Sequence, residues 1–313
     1  MRPAIFRRLN SGPPVVVCAV LAVTQMFVIA PRCARAMESS ASPAPHRLQN
    51  IAARSRVLTQ DRVLIGGFIV QGSDSIKVVI RAIGSSLRAG VAPLAGRLID
   101  PTLELYAEGS GVPLASNDDW RERQQSEIMG TGLAPADDHE SAIVATLAPG
   151  SYTAIVRGRT GATGIAVVEA YDASSSTAVK LANISARSFV QTGDDVLIGG
   201  IIAGGGETDG SIRIVARAIG PSLANRGISD ALADPTLELV NSNGSGVAFS
   251  DNASDERSLE LQETGLAPPH ALEAAVVVTL GNGNYTAVVR GVNGTTGTAL
   301  VEFFDVPPGG PGR

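Results

Sequence analysis

Tyr152-Thr153-Ala154-Ile155-Val156-Arg157-Gly158 alternates Tyr152, Ala154 and Val156 with Thr153, Ile155 and Arg157, and it returns as Tyr285-Thr286-Ala287-Val288-Val289-Arg290-Gly291, an offset of 133 residues. A period of two is the signature of a β-strand. A long fixed offset is the signature of a duplicated unit. Other blocks repeat with this one. Asn50-Ile51-Ala52-Ala53-Arg54 returns as Asn183-Ile184-Ser185-Ala186-Arg187, and Val63-Leu64-Ile65-Gly66-Gly67 as Val196-Leu197-Ile198-Gly199-Gly200. Arg81-Ala82-Ile83-Gly84 returns as Arg217-Ala218-Ile219-Gly220, and Asp100-Pro101-Thr102-Leu103-Glu104-Leu105 as Asp234-Pro235-Thr236-Leu237-Glu238-Leu239. The offset is 133 at both ends and rises to 136 in the middle, which places a short insertion near Gly204-Gly205-Gly206.

Within copy one the alternation predicts eight strands, near 49–58, 62–70, 75–83, 102–107, 111–116, 141–147, 151–158 and 163–171. The strand around Ile165 to Tyr171 is apolar on both faces, as a strand between two packed layers is. Gly109-Ser110-Gly111 and Pro149-Gly150 read as turns. Trp120 to Met129 has helical composition and stops at Gly130. The expectation is an all-β chain of two tandem antiparallel β-sandwich domains of jelly-roll type, with a closed barrel as the alternative. Its divisions are a signal segment at 1–36, a flexible stretch at 37–47, module 1 at 48–172, a serine-rich linker at 173–180, module 2 at 181–305 and a Pro/Gly-rich tail at 306–313.

The signal reading rests on Arg2, Arg7 and Arg8, the apolar run Pro14 to Ala30, and Ala34-Arg35-Ala36 as a peptidase site. An uncut anchor is the alternative, but the run is short for a membrane span. The chain is therefore expected to be secreted, periplasmic or on the cell surface, with no membrane contact after processing. Cys18 and Cys33 both lie in this segment, so the processed chain has no disulfide and no thiolate. Loss of its five arginines takes the net charge from −5 to −10, and Lys77 and Lys180 are the only lysines. So acidic a chain, with no basic patch, repels nucleic acid.

The blocks quoted above, together with Thr264-Gly265-Leu266-Ala267-Pro268, resemble a repeat module common in exported proteins of environmental bacteria, often strung in arrays. The resemblance implies architecture and location but no activity. More weakly, Leu114-Ala115-Ser116-Asn117-Asp118-Asp119 followed by Leu147-Ala148-Pro149-Gly150-Ser151-Tyr152-Thr153 is similar to the pre-peptidase C-terminal type of β-sandwich. That likeness implies an accessory module beside a secreted hydrolase.

Chemistry-bearing residues are few. His46, His139 and His270 have no equivalents between the copies, and no Gly-x-Ser-x-Gly elbow is present. Asp118 and Asp119, with Asn117, and Asp251, with Asn252, offer hard oxygen ligands on a loop, which suits Ca²⁺; the same residues suit a helix cap. Arg81, Arg157, Glu104 and Glu169, with Arg217, Arg290, Glu238 and Glu302, sit inside apolar strands. Charges there need partners, so structural ion pairs are expected over a glycosidase carboxylate pair. Trp120 aligns with Ala253, and Tyr152 and Tyr285 read as core, which gives little support to a sugar-stacking face. The functional expectation is a non-catalytic exported module pair for adhesion, scaffolding or envelope interaction. It would need no cofactor and would act on an unidentified protein or surface polymer. A Ca²⁺-stabilised or ligand-binding accessory module is the alternative.

Overall fold

A computed structural model describes residues 47–174, 178–204, 210–253 and 258–306. The signal segment, most of the 37–47 stretch, the insertion beyond Gly204 and the tail after Val306 lie outside the described residues. In copy one the strands are β1 (Arg47–Val57), β2 (Leu64–Gly72), β3 (Ile76–Ile83), β4 (Arg88–Ala89), β5 (Ala92–Pro93), β6 (Pro101–Ala107), β7 (Ala115–Asn117), β8 (Ser141–Leu147), β9 (Gly150–Gly158) and β10 (Gly164–Asp172). In copy two they are β11 (Val179–Val190), β12 (Leu197–Gly204), β13 (Ser211–Ile219), β14 (Pro235–Asn241), β15 (Gly246–Ser250), β16 (Ala274–Gly281), β17 (Gly283–Gly291) and β18 (Gly297–Val306). Two short helices, α1 (Gln125–Gly130) and α2 (Ser258–Glu263), precede β8 and β16.

Sixteen of the strands form two antiparallel sheets of eight, ordered β15-β14-β17-β12-β1-β10-β3-β8 and β16-β13-β18-β11-β2-β9-β6-β7, and β4 pairs with β5 in a separate hairpin. Each sheet takes four strands from each copy. The copies meet where β1 pairs with β12 and β11 pairs with β2. The two junctions match: Ala52↔Gly200 answers Ser185↔Gly67, and each carries one register shift, between Leu48 and Ile51 and between Leu181 and Asn183. Seven of the strands expected in copy one are present near their expected bounds, the one expected at 111–116 is cut to the three residues of β7, and the expected linker is shorter because Val179 and Lys180 already belong to β11. Val306, assigned to the tail, is the last residue of β18.

One apolar layer fills the space between the sheets and runs through both copies, with Leu64, Phe68, Ile80 and Leu103 from the first and Leu197 and Phe303 from the second. Gly67 lets the copies approach where β2 meets β11: a Cβ there would lie 2.5 Å from Ser185 Oγ. Gly199 instead makes room between the two sheets of copy two, where a Cβ would lie 2.9 Å from the Phe303 ring and 3.0 Å from Val301. Two ion pairs cross the junction, Arg56–Asp195 and Arg62–Asp230, each 2.8 Å, and Arg62 also stacks on Phe189. Partly exposed pairs of this kind contribute only about 0–1 kcal/mol each. Backbone pairing and burial therefore dominate the joint.

Candidate functional site

The strand charges divide into three arrangements. On the outer face of the first sheet, Arg81 Nε and Nη2 donate to Glu169 Oε2 at 2.9 and 2.5 Å, and Nη1 donates to the Leu133 carbonyl at 2.9 Å. The Tyr171 hydroxyl donates to Glu169 Oε1 at 3.1 Å, with Arg81 over its ring. Burial, and then the charge of Glu169, push the Tyr171 phenol up to about 12. Copy two repeats the fork: Arg217 binds Glu302 and the Leu266 carbonyl, and it covers the Phe304 ring. Each guanidinium thus ties its sheet to the helix-bearing loop above it. The second arrangement is weaker: Arg157 Nε lies 3.7 Å from Glu104 Oε2, and its Nη1 donates to the Gln60 carbonyl. In the third, Arg290 is not brought to Glu238. It donates instead to the Gly193 carbonyl at 3.1 Å, because both side chains stand on an exposed face where water satisfies the carboxylate as well as an arginine would.

Asp118 and Asp119 lie just after β7 and meet Asp100, which stands just before β6. One carboxylate oxygen from each of the three falls within 4.8 Å of the others. The three Oδ1 atoms are buried and have no hydrogen-bond partner. Asp118 Oδ2 pairs with Arg159 Nη1 at 2.9 Å, and Asp100 Oδ2 stands 3.8 Å from the same nitrogen. Burial, followed by repulsion from Asp118, raises the Asp100 carboxyl above the ordinary value. The aspartates do not cap α1, whose N-cap is Gln124 with no side-chain cap bond. Asn117 does fix the loop: its amide donates to the Asp119 carbonyl, and its Oδ1 accepts from the Ala142 N–H.

Copy two holds the same oxygens in a different setting. Asp234 Oδ1, Asp251 Oδ1 and Asn252 Oδ1 are buried without partners. Burial, and then Asp251, raise the Asp234 carboxyl. Position 292 is valine where copy one has Arg159. The Asp100 cluster suits a hard cation that takes carboxylate oxygens, and Ca²⁺ is the chemical match; in copy two, Asp234 and Asp251 stand close enough to repel each other. Asp100 and Asp234 escape a motif reading because they sit in the Asp-Pro-Thr-Leu-Glu-Leu blocks, well away in sequence from the loop acids. Their recurrence in both copies is the only sequence signal.

No family model matches the chain, and no curated protein is significantly similar to it.

Two more acids escape sequence reading. Glu140 and Glu273 are fully buried. Glu140 Oε1 accepts from the N–H groups of Gly84 and Ser86 and from Ser86 Oγ, and Oε2 accepts from the Asp137 N–H. Glu273 does the same for Gly220, Ser222 and His270. Each carboxylate pins the turn after the Arg-Ala-Ile-Gly block to the strand on the sheet edge. The histidines do not join a nucleophile: His139 Nδ1 lies 3.2 Å from Asp137 Oδ1, His270 Nδ1 accepts the Leu272 N–H, and His46 lies outside the described residues. Trp120 is buried against Ile128, Ala142 and Val144 and serves as a packing residue under the loop.

Proposed function

We propose that the chain is an exported, non-catalytic pair of jelly-roll β-sandwiches that serves adhesion, scaffolding or interactions at the cell envelope. Within copy one, strands numbered by position along the copy lie in the order 1-8-3-6 over 2-7-4-5, an order that supports the jelly-roll reading. The observation that carries the reading is the joint. Both sheets pass unbroken from one copy to the other, and the charges inside the strands are used in holding loops to sheets. A stiff, acidic, cysteine-free body of this kind suits a spacer or a binding platform outside the cytoplasm. The resemblance to exported repeat modules supports the same location. The test is fractionation of the source cell with N-terminal sequencing. A chain beginning at Met37 in the periplasm, on the surface or in the medium is expected; a cytoplasmic chain that keeps its arginine-rich start would end the proposal.

A second reading has its own observation: the two sets of buried, unpartnered oxygens around Asp100 and Asp234. Here the chain is a Ca²⁺-stabilised accessory module whose rim loops are set by the ion. Melting the exported chain in about millimolar Ca²⁺ and again in chelator tests it. A rise in Tm that shrinks in the Asp118→Asn and Asp251→Asn variants is expected; superimposable curves would remove calcium from the account.

A further inference from the structure

The double sheet has four outer edges, and they are not equally protected. At β8, Val144 is held on both sides by one side chain: Gln124 donates to its carbonyl at 2.8 Å and accepts its N–H at 3.1 Å. The Ala142 N–H on the same strand is taken by Asn117. At β16, the Ala275 N–H donates to Ser250 Oγ. At β7 the strand is only three residues long. The fourth edge, β15, is different. It pairs with β14 from Ser250 to Gly246, and no other described backbone hydrogen bond reaches it. Its sequence, Gly-Val-Ala-Phe-Ser, has no charge and no proline. Phe249 is 65% exposed and Val247 39%, while Ala248 packs toward the core.

Unpaired edges are usually blunted by charge, proline or shortness. β15 has none of these; its pairing with β14 does carry a bulge, another common guard, at Val247 between Gly246 and Ala248, but Val247 and Phe249 remain exposed and are self-complementary. We propose that β15 is a self-association edge, at which two copies of the chain pair β15 with β15 in antiparallel fashion about Ala248. In that register Val247 of each copy stands opposite Phe249 of the other, so the two-fold axis generates two aromatic to β-branched cross-strand pairs on one face. The sheet that contains β15 then runs on from one molecule into the next. This is the device by which β1 and β12 already join the two modules within the chain. Five residues of pairing make a small interface, so association is weak and concentration-dependent.

Sedimentation velocity on the exported full chain, from about 1 to about 300 µM, reads this directly. The weight-average mass is expected to climb toward that of a dimer. Val247→Lys with Phe249→Lys should hold the mass at the monomer, with Tm unchanged. Phe249→Ser, which installs the residue of the matching position Ser116, should weaken association at least several-fold and guards against a misfolded double variant. Leu114→Lys, at the edge of module 1, should leave the dimer intact. A wild-type chain that stays monomeric across the range overturns the proposal. So does a dimer that survives the lysine pair or is lost with Leu114→Lys.

Discussion

At the Asp100 rim of module 1 the guanidinium of Arg159 stands against Asp118 and Asp100, whereas in module 2 the matching residue is Val292. The backbone is the same in both: the N–H of Arg159 or Val292 donates to the carbonyl of Asp100 or Asp234 at 2.9 Å. Around this shared frame module 1 carries three aspartates and an arginine, and module 2 two aspartates and an asparagine. The formal sum is −2 in each. The modules do agree at the guanidinium forks Arg81–Glu169 and Arg217–Glu302 and at the buried carboxylates Glu140 and Glu273. These forks and buried carboxylates are thus duplicated, while the rim keeps its charge and changes the groups that supply it.

The largest test of that contrast is the buried carboxylate. Glu140→Ala leaves three backbone N–H groups without their acceptor, and Glu273→Ala does the same in module 2. Each should cost about 3–5 kcal/mol in urea unfolding, and the two losses should agree within about 1 kcal/mol. Unequal losses would mean that the frames are not equivalent. The next effect is between the sheets of module 2, on the strand that meets β1. Gly199→Ala forces a Cβ against Phe303 and should cost about 1–3 kcal/mol. Gly200→Ala, whose Cβ would meet Ala52 at an ordinary 3.6 Å, should stay within about 0.5 kcal/mol of wild type.

Smaller effects separate the modules by pH. The folded Tyr171 phenol titrates near 12, above its unfolded value. Its contribution is therefore full below about pH 10 and is lost as pH rises toward 12. Module 2 has Phe304 there, so Tyr171→Phe should flatten the fall in stability over that window. The smallest effect concerns the rim. Asp100 is raised in the folded state, so the stability it lends is present at low pH and disappears once pH passes its folded value. At neutral pH without calcium, Asp100→Asn should raise Tm by about 1–3 °C. A fall would mean that the ionised carboxylate is already compensated by Arg159.

Much of this architecture could be read from sequence, because strand alternation is local. Ile76 to Ile83 and Tyr152 to Gly158 declare their faces without reference to anything distant. The helix was harder to place. Trp120 begins a run of helical composition, but it is drawn down as a plug over Val144, and only Gln125–Gly130 coils. The pairing of β1 with β12 left no trace that alternation could detect, since register between strands about 150 residues apart is set by fit. Glu140 and Glu273 were hidden because they sit in loop sequence just before a strand, where an acid is unremarkable until its partners are seen. Arg290 keeps the loop-carbonyl contact of its repeat partner Arg157 but not the carboxylate, because Glu238 stands more exposed than Glu104.

The pairing of β1 with β12, and of β2 with β11, also governs how the chain reaches its folded form. The first strand to emerge waits for a neighbour made some 150 residues later, so the first half alone leaves two adjacent ladders unfinished. Contacts so distant in sequence make for slow folding. Until both halves are present, β1 and β2 each keep one flank unpaired. A break between the halves would strand two sticky flanks instead of releasing two working units.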